Sequence, residues 1–277
     1  MPRIGLMLSP YRNLTTLACA ALALHPHIQV MNHGFARIES EDGLKFITDG
    51  KAESLDHFCG LLIRLSEGGR QGDYGGSILH SHAFEHDGVM AAYQRLVGDA
   101  QIKPVIQAVV WKESGRLREH LKEFQVSPLD LAAKFDQLYF ISPVRNLLDH
   151  AYGLQKFYAT LGLQSYVRRS LADVEIDSIL RYIIACHLEF WNYSRAMPTR
   201  FFMFGENEMN GKTLHRLGRF LGVDPISDWI RNASPLFISK NHYEHLPGHE
   251  ALLQQLLAEI DDADFLKFIN DGGASST

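Results

Sequence analysis

Ile4-Gly5-Leu6-Met7-Leu8-Ser9-Pro10-Tyr11-Arg12-Asn13-Leu14-Thr15-Thr16-Leu17 is the stretch that decides the fold. Ile4 to Leu8 is a short apolar run, Ser9 to Asn13 is a turn, and from Leu14 an apolar, helix-like run continues to Leu24 and His25-Pro26. The order reads as strand, tight turn, helix. The first N–H groups of a helix have no internal partner, and the helix dipole places about half a positive charge there. With Arg12, Thr15 and Thr16 at that point, the terminus is a seat for a phosphate or sulfate. The plain alternative is a strand-to-helix turn capped by Ser9 or Asn13. A Walker A loop is excluded, because the turn holds neither its glycines nor its lysine.

Further strands are expected at 104–111, 137–142 and 200–204, beside 3–8 and 28–32. Helices are expected at 14–24, 52–66, 84–97, 114–124, 127–134, 146–161, 174–196, 208–222 and 248–259. Alternating strands and helices imply an α/β fold, with a P-loop-like parallel sheet flanked by helices and a helical C-terminal part. The 277 residues suit one domain spanning 1–277, with a disordered tail from about 271. A net charge of −5 argues against a nucleic-acid coat. Cys19, Cys59 and Cys186 form no CxxC pair, which suits a reducing compartment and gives no zinc signature. Pro10, Arg12 and Asn13 interrupt the first apolar run too early for a signal peptide. No apolar run approaches the roughly 18 residues of a membrane span. A cytoplasmic location is expected.

Two more strand ends carry cations. Leu138 to Ile141 leads into Ser142-Pro143-Val144-Arg145-Asn146-Leu147-Leu148-Asp149, placing an arginine just before a helix. Pro104 to Trp111 ends in Lys112-Glu113. Ligands of open α/β sheets bind outside the carboxyl ends of the strands. There Arg12 and Arg145 suit bidentate phosphate recognition, and Lys112 suits charge developing on a leaving phosphate. A helical Arg145–Asp149 ion pair is the competing reading.

In this order and spacing the segments resemble the sulfotransferases that use 3′-phosphoadenosine-5′-phosphosulfate (PAPS), in their bacterial and carbohydrate-type branch. Arg12-Asn13-Leu14-Thr15-Thr16-Leu17 is similar to the family's 5′-phosphosulfate loop, and Leu24-His25-Pro26 to the ending of its first helix. Phe140 to Asp149 resembles its 3′-phosphate motif. Phe201 to Glu206, Thr213-Leu214 and Phe220-Leu221-Gly222-Val223 resemble its late strand and helix. Leu14 stands where the family has glycine, Leu147 where it has proline, and Gly153 where it has a phosphate-binding serine. The late basic loop has Lys240 as its nearest counterpart.

The resemblance implies in-line transfer of a sulfuryl group from PAPS to a hydroxyl of a small-molecule or carbohydrate acceptor. Adenosine 3′,5′-bisphosphate leaves, and no metal is expected. The cofactor would be held by Arg12, Asn13, Leu14, Thr15, Thr16, Leu17, Arg145, Gly153 and Lys240, with Lys112 assisting the leaving group. The base would be His33, at the end of the second strand, or Glu113. Histidine titrates near neutrality. His80, His82, Glu85 and His86 also invite a metal reading, though their spacing fixes neither ligand number nor geometry. The loop 68–86 and residues 235–247 are expected to line the acceptor pocket. Two other functions remain: a degenerate nucleotide-binding or scaffold protein of this fold, and a P-loop kinase, whose loop lysine and magnesium-holding aspartate are not visible.

Overall fold

The computed structural model describes residues 1–69, 75–85, 87–113, 115–162, 167, 170–171, 173–239 and 242–271. Lys240, His86 and the expected tail beyond 271 lie outside them. The strands are β1 (Arg3–Met7), β2 (Ile28–Asn32), β3 (Gly76–Ser77), β4 (Ala108–Lys112), β5 (Leu138–Val144) and β6 (Phe201–Gly205). They form a six-stranded sheet in the order β3-β2-β4-β1-β5-β6. Every pairing is parallel except that of β3 with β2. The fold is α/β, with a mostly parallel sheet flanked by helices and a helical C-terminal part.

Both faces of the sheet are buried, as parallel pairing requires. Met7, Val30, Val110, Ile141 and Phe204 point into one core cluster. Leu6, Met31, Trp111, Phe140 and Met203 point into the other. The period of two along each strand sorts the residues between them. Gly5 is needed on the first face: a Cβ there would meet Leu221 Cδ2 at 3.0 Å and Val110 Cγ2 at 3.2 Å. A third cluster joins helices Leu147–Leu161, Ile176–Ala196 and Pro247–Ala258.

Some expected boundaries shift for local reasons. The strand expected at 104–111 begins only at Ala108 and runs on to Lys112. The helix expected at 84–97 is a 3₁₀ turn, His82–Glu85, and a helix, Asp87–Leu96. The strand expected to stop at 142 continues through Pro143 to Val144. Its register with β1 ends at Met7↔Ile141, whereas pairing with β6 runs to Val144↔Gly205. Proline therefore stands where one side of the strand has left the ladder, and its missing N–H costs nothing there. The short edge strand β3 and helices Phe35–Ser40, Lys45–Asp49, Ser227–Ala233 and Ala263–Asn270 were not expected.

Parallel strands end on the same side. The carboxyl ends of β1, β2, β4 and β5 therefore bring the loops after Met7, Asn32, Lys112 and Val144 to one edge. The chain leaves β1 toward β2 and leaves β4 toward β5, opposite ways across the sheet, which opens a crevice at that edge.

Candidate active site

A cavity of about 520 Å³ occupies this edge. Arg12, Asn13, Leu14, Thr15, Thr16, Leu17, His33, Lys112 and Arg145 all line it. Helix Thr15–Ala23 starts at Leu14, which takes a left-handed conformation (φ 60°, ψ 6°) and gives no side-chain cap. Arg12 (φ 63°) and His33 (φ 55°) are also left-handed. A non-glycine residue pays for that geometry in strain, which concentrates at functional sites. Leucine thus holds the backbone shape that glycine adopts freely, and its side chain packs against the neighbouring core cluster.

Asn13 does not cap the helix. It is fully buried, and its Nδ2 donates to Ser9 Oγ at 2.5 Å and to the Pro143 carbonyl. Its Oδ1 accepts the Arg145 N–H at 2.9 Å. One amide therefore ties the loop after β1 to the loop after β5. His150 braces the same loop, donating from Nε2 to the Tyr11 carbonyl at 2.8 Å. Burial, with the nearby Arg145 charge, pulls its pKa down to about 3, so it stays neutral. The Arg12 guanidinium lies over the Phe157 ring, 5.1 Å from its centroid, and Tyr11 packs on that ring at 5.4 Å.

Arg145 precedes helix Leu147–Leu161, which is capped by Asn146: its Oδ1 accepts from Leu148 N at 3.0 Å and Asp149 N at 3.1 Å. Asp149 turns instead to residues 242–245. Its oxygens accept from Tyr243 N at 2.8 Å, His245 Nε2 at 3.0 Å and His242 Nδ1 at 3.0 Å. Burial opposes its ionisation, but these donors and the Arg145 charge outweigh it and hold the carboxyl below its ordinary value. Gly153 lies beside Arg145 on this helix.

Lys112 and Glu113, both buried, flank the half-buried His33 in a line. Lys112 Nζ lies 2.6 Å from His33 Nε2, and His33 Nδ1 lies 3.8 Å from Glu113 Oε1. The His33 backbone N–H donates to the Lys112 carbonyl at 3.0 Å, and its carbonyl accepts from Trp111 Nε1 at 2.8 Å. Burial, reinforced by the Arg12 charge and only partly offset by Cys19 and Glu113, brings Lys112 down to about 8. Burial and the Lys112 charge also lower His33, against the pull of Glu113. A lysine ammonium donating to Nε2 places the imidazole hydrogen on Nδ1, facing Glu113.

The opposite wall holds His80, Ser81, His82 and Glu85, with Ala83, Val89 and Leu236. Among the described residues, no group of three or more His, Cys, Asp or Glu is arranged to hold a metal. Asn32 and Ser81 also line the cavity, each with a buried side-chain oxygen that has no hydrogen-bond partner among the described residues. Neither was singled out in the sequence, although Asn32 sits one step before His33. The ring pair Tyr11–Phe157 left no sequence signal, because its members are far apart in the chain.

No protein-family profile matches the chain. No curated protein matches it either. Among solved structures it is similar to the sulfotransferase domain from the Synechococcus PCC 7002 olefin synthase, at 15% identity over 92% of this chain and 94% of that one, with a TM-score of 0.42. It is also similar to a sulfotransferase from Alicyclobacillus acidocaldarius, at 13% identity over 98% of this chain and 96% of that one, with a TM-score of 0.46. The sulfotransferase domain from the curacin biosynthetic pathway matches at 14% identity over 92% of this chain and 98% of that one, with a TM-score of 0.42.

Proposed function

We propose that the protein is a PAPS-dependent sulfotransferase acting on a hydroxyl of a small-molecule acceptor. The observation that carries this reading is the convergence of Arg12, Arg145 and Lys112 on an uncapped helix start, beside an imidazole in the same cavity. The donor set fits a nucleotide bearing two separate anionic ends. Arg12, the hydroxyls of Thr15 and Thr16 and the first N–H groups of the helix would hold the 5′-phosphosulfate. Arg145 would hold the 3′-phosphate.

When bound, PAPS supplies the transferable sulfuryl group. Lys112 neutralises charge on the departing phosphate, a role open to it only as the ammonium. Once Lys112 turns to that phosphate, His33 Nε2 is released to take the proton of the acceptor hydroxyl. The imidazolium so formed faces Glu113, which is the orienting group rather than the base. Leu17, Ala20, Ala21, Ala83, Val89 and Leu236 give the cavity an apolar wall, which suits an acceptor whose hydroxyl is carried on an apolar body.

Isothermal calorimetry with adenosine 3′,5′-bisphosphate tests the reading. The wild type is expected to bind, and Arg12→Ala and Arg145→Ala to bind at least ten-fold more weakly, in line with loss of charge-assisted hydrogen bonds. No heat from the wild type, or two variants indistinguishable from it, overturns the assignment.

A further inference from the structure

Gly153 marks a second feature of the phosphate end. A Cβ at this position would lie 3.3 Å from Arg145 Nη1, 3.6 Å from Arg12 Cβ and 3.7 Å from Tyr243 Oη. Glycine thus keeps open a small space bordered by a guanidinium and a phenol hydroxyl. The Tyr243 ring faces the same arginine, with Arg145 Cζ 5.6 Å from its centroid.

Tyr243 is held there by its backbone. Its N–H donates to Asp149 Oδ1 at 2.8 Å, and His242 and His245 grip the same carboxylate from either side. Tyr152 fastens the following residues, accepting from Leu246 N at 3.1 Å and pairing with His249 Nδ1 at 2.7 Å. Five contacts to one face of helix Leu147–Leu161 fix the backbone that carries the phenol, so little backbone freedom is left to lose when a ligand arrives.

We propose that Tyr243 donates its hydroxyl hydrogen to the phosphate that Arg145 holds, and that Gly153, lacking a side chain, leaves beside Arg145 the space that this hydroxyl serves. The proposal rests on the nucleotide reading above and adds a binding residue to it. A guanidinium only donates and a phenol can donate beside it, so an anionic group rich in acceptors satisfies both.

Calorimetry with two probes, adenosine 3′,5′-bisphosphate and adenosine 5′-phosphate, tests it on wild type, Tyr243→Phe, Tyr243→Ala and Tyr243→Phe combined with Gly153→Ser. Thermal melts confirm that each folds. Wild type is expected to prefer the bisphosphate. Tyr243→Phe keeps the ring and should lose about ten-fold in affinity for the bisphosphate, with none lost for the monophosphate, the scale of one hydrogen bond to a charged group. Tyr243→Ala should lose at least as much. Gly153→Ser puts a hydroxyl back into the same space and should restore several-fold of the loss. A Tyr243→Phe variant that keeps the wild-type preference overturns the proposal while leaving the nucleotide reading intact. Tighter bisphosphate binding by Tyr243→Ala also overturns it, because the ring would then be covering the arginine. A wild type with no preference between the probes overturns the nucleotide reading, and this proposal with it.

Discussion

The backbone N–H of Arg145 donates to Oδ1 of Asn13, 132 positions earlier, at 2.9 Å in a fully buried contact. The same amide reaches Ser9 and the Pro143 carbonyl, so the two cation-bearing loops share one brace. Asn13→Ala leaves the Arg145 N–H and the Pro143 oxygen buried without this partner. A loss of about 3 kcal/mol in stability is expected by thermal or urea denaturation. Affinity for adenosine 3′,5′-bisphosphate should fall as well, although Asn13 carries no charge, because both arginines depend on the loops it joins.

The activity should follow a bell-shaped pH profile in kcat/KM. Its acid limb reports His33, which must be neutral to accept a proton and whose pKa lies below the ordinary 6.5. Its alkaline limb reports Lys112, which loses its ammonium near pH 8. A profile flat from pH 6 to pH 9 contradicts the role of Lys112, and one with no fall at any pH below 6.5 contradicts that of His33.

Lys112→Met separates function from stability. In the folded chain Lys112 titrates at about 8, against 10.5 for a free lysine, so the folded state binds fewer protons than the unfolded state between those values. The lysine thus costs stability at neutral pH, and the cost fades as pH rises from 8 toward 10.5. Methionine keeps the apolar stem without the buried charge. Lys112→Met should lose activity by two or more orders of magnitude, yet gain about 3 kcal/mol or less at pH 7. That gain should shrink in melts at pH 10.

Glu113→Gln removes the charge facing His33 Nδ1 but keeps its shape. Because Glu113 raises the His33 pKa, its loss should move the acid limb to lower pH. The rate should fall by about ten-fold, whereas His33→Ala should lose a hundred-fold or more. A larger loss in Glu113→Gln than in His33→Ala would make Glu113 the base instead.

Leu14→Gly relieves the left-handed strain at the helix start but removes a side chain that packs against the core. The two effects oppose each other at about 1 kcal/mol each, so the melting temperature should change little. Nucleotide affinity should rise, since backbone N–H groups become bare toward the ligand. Weaker binding by Leu14→Gly would show that the leucine side chain itself contributes to the pocket.

The sequence made the central strands and their loops legible because each joins an apolar run to a turn and a helix start. The carboxyl-end placement of Arg12, Lys112, Arg145 and His33 then follows from parallel pairing alone. What stayed hidden was set by distant or very short partners. Tyr243 meets Asp149 across 94 positions, so nothing local to either announces the clasp. β3 has two residues, Gly76 and Ser77, too few to show a period. Helices Phe35–Ser40 and Lys45–Asp49 are a turn or so long and owe their form to packing over the sheet. Asn13 was read as a cofactor ligand or a cap, and its burial between two loops is a property of the tertiary structure.

The left-handed backbone at Arg12, Leu14 and His33 also narrows which sequences this chain can drift through. A residue branched at Cβ is disfavoured in that conformation, so valine, isoleucine and threonine are barred from three rim positions whatever their polarity. Glycine, asparagine and aspartate remain open to them. Random variation at the rim therefore runs toward small or amide side chains. A selection experiment that kept only folded variants, with no demand for activity, would still show that bias.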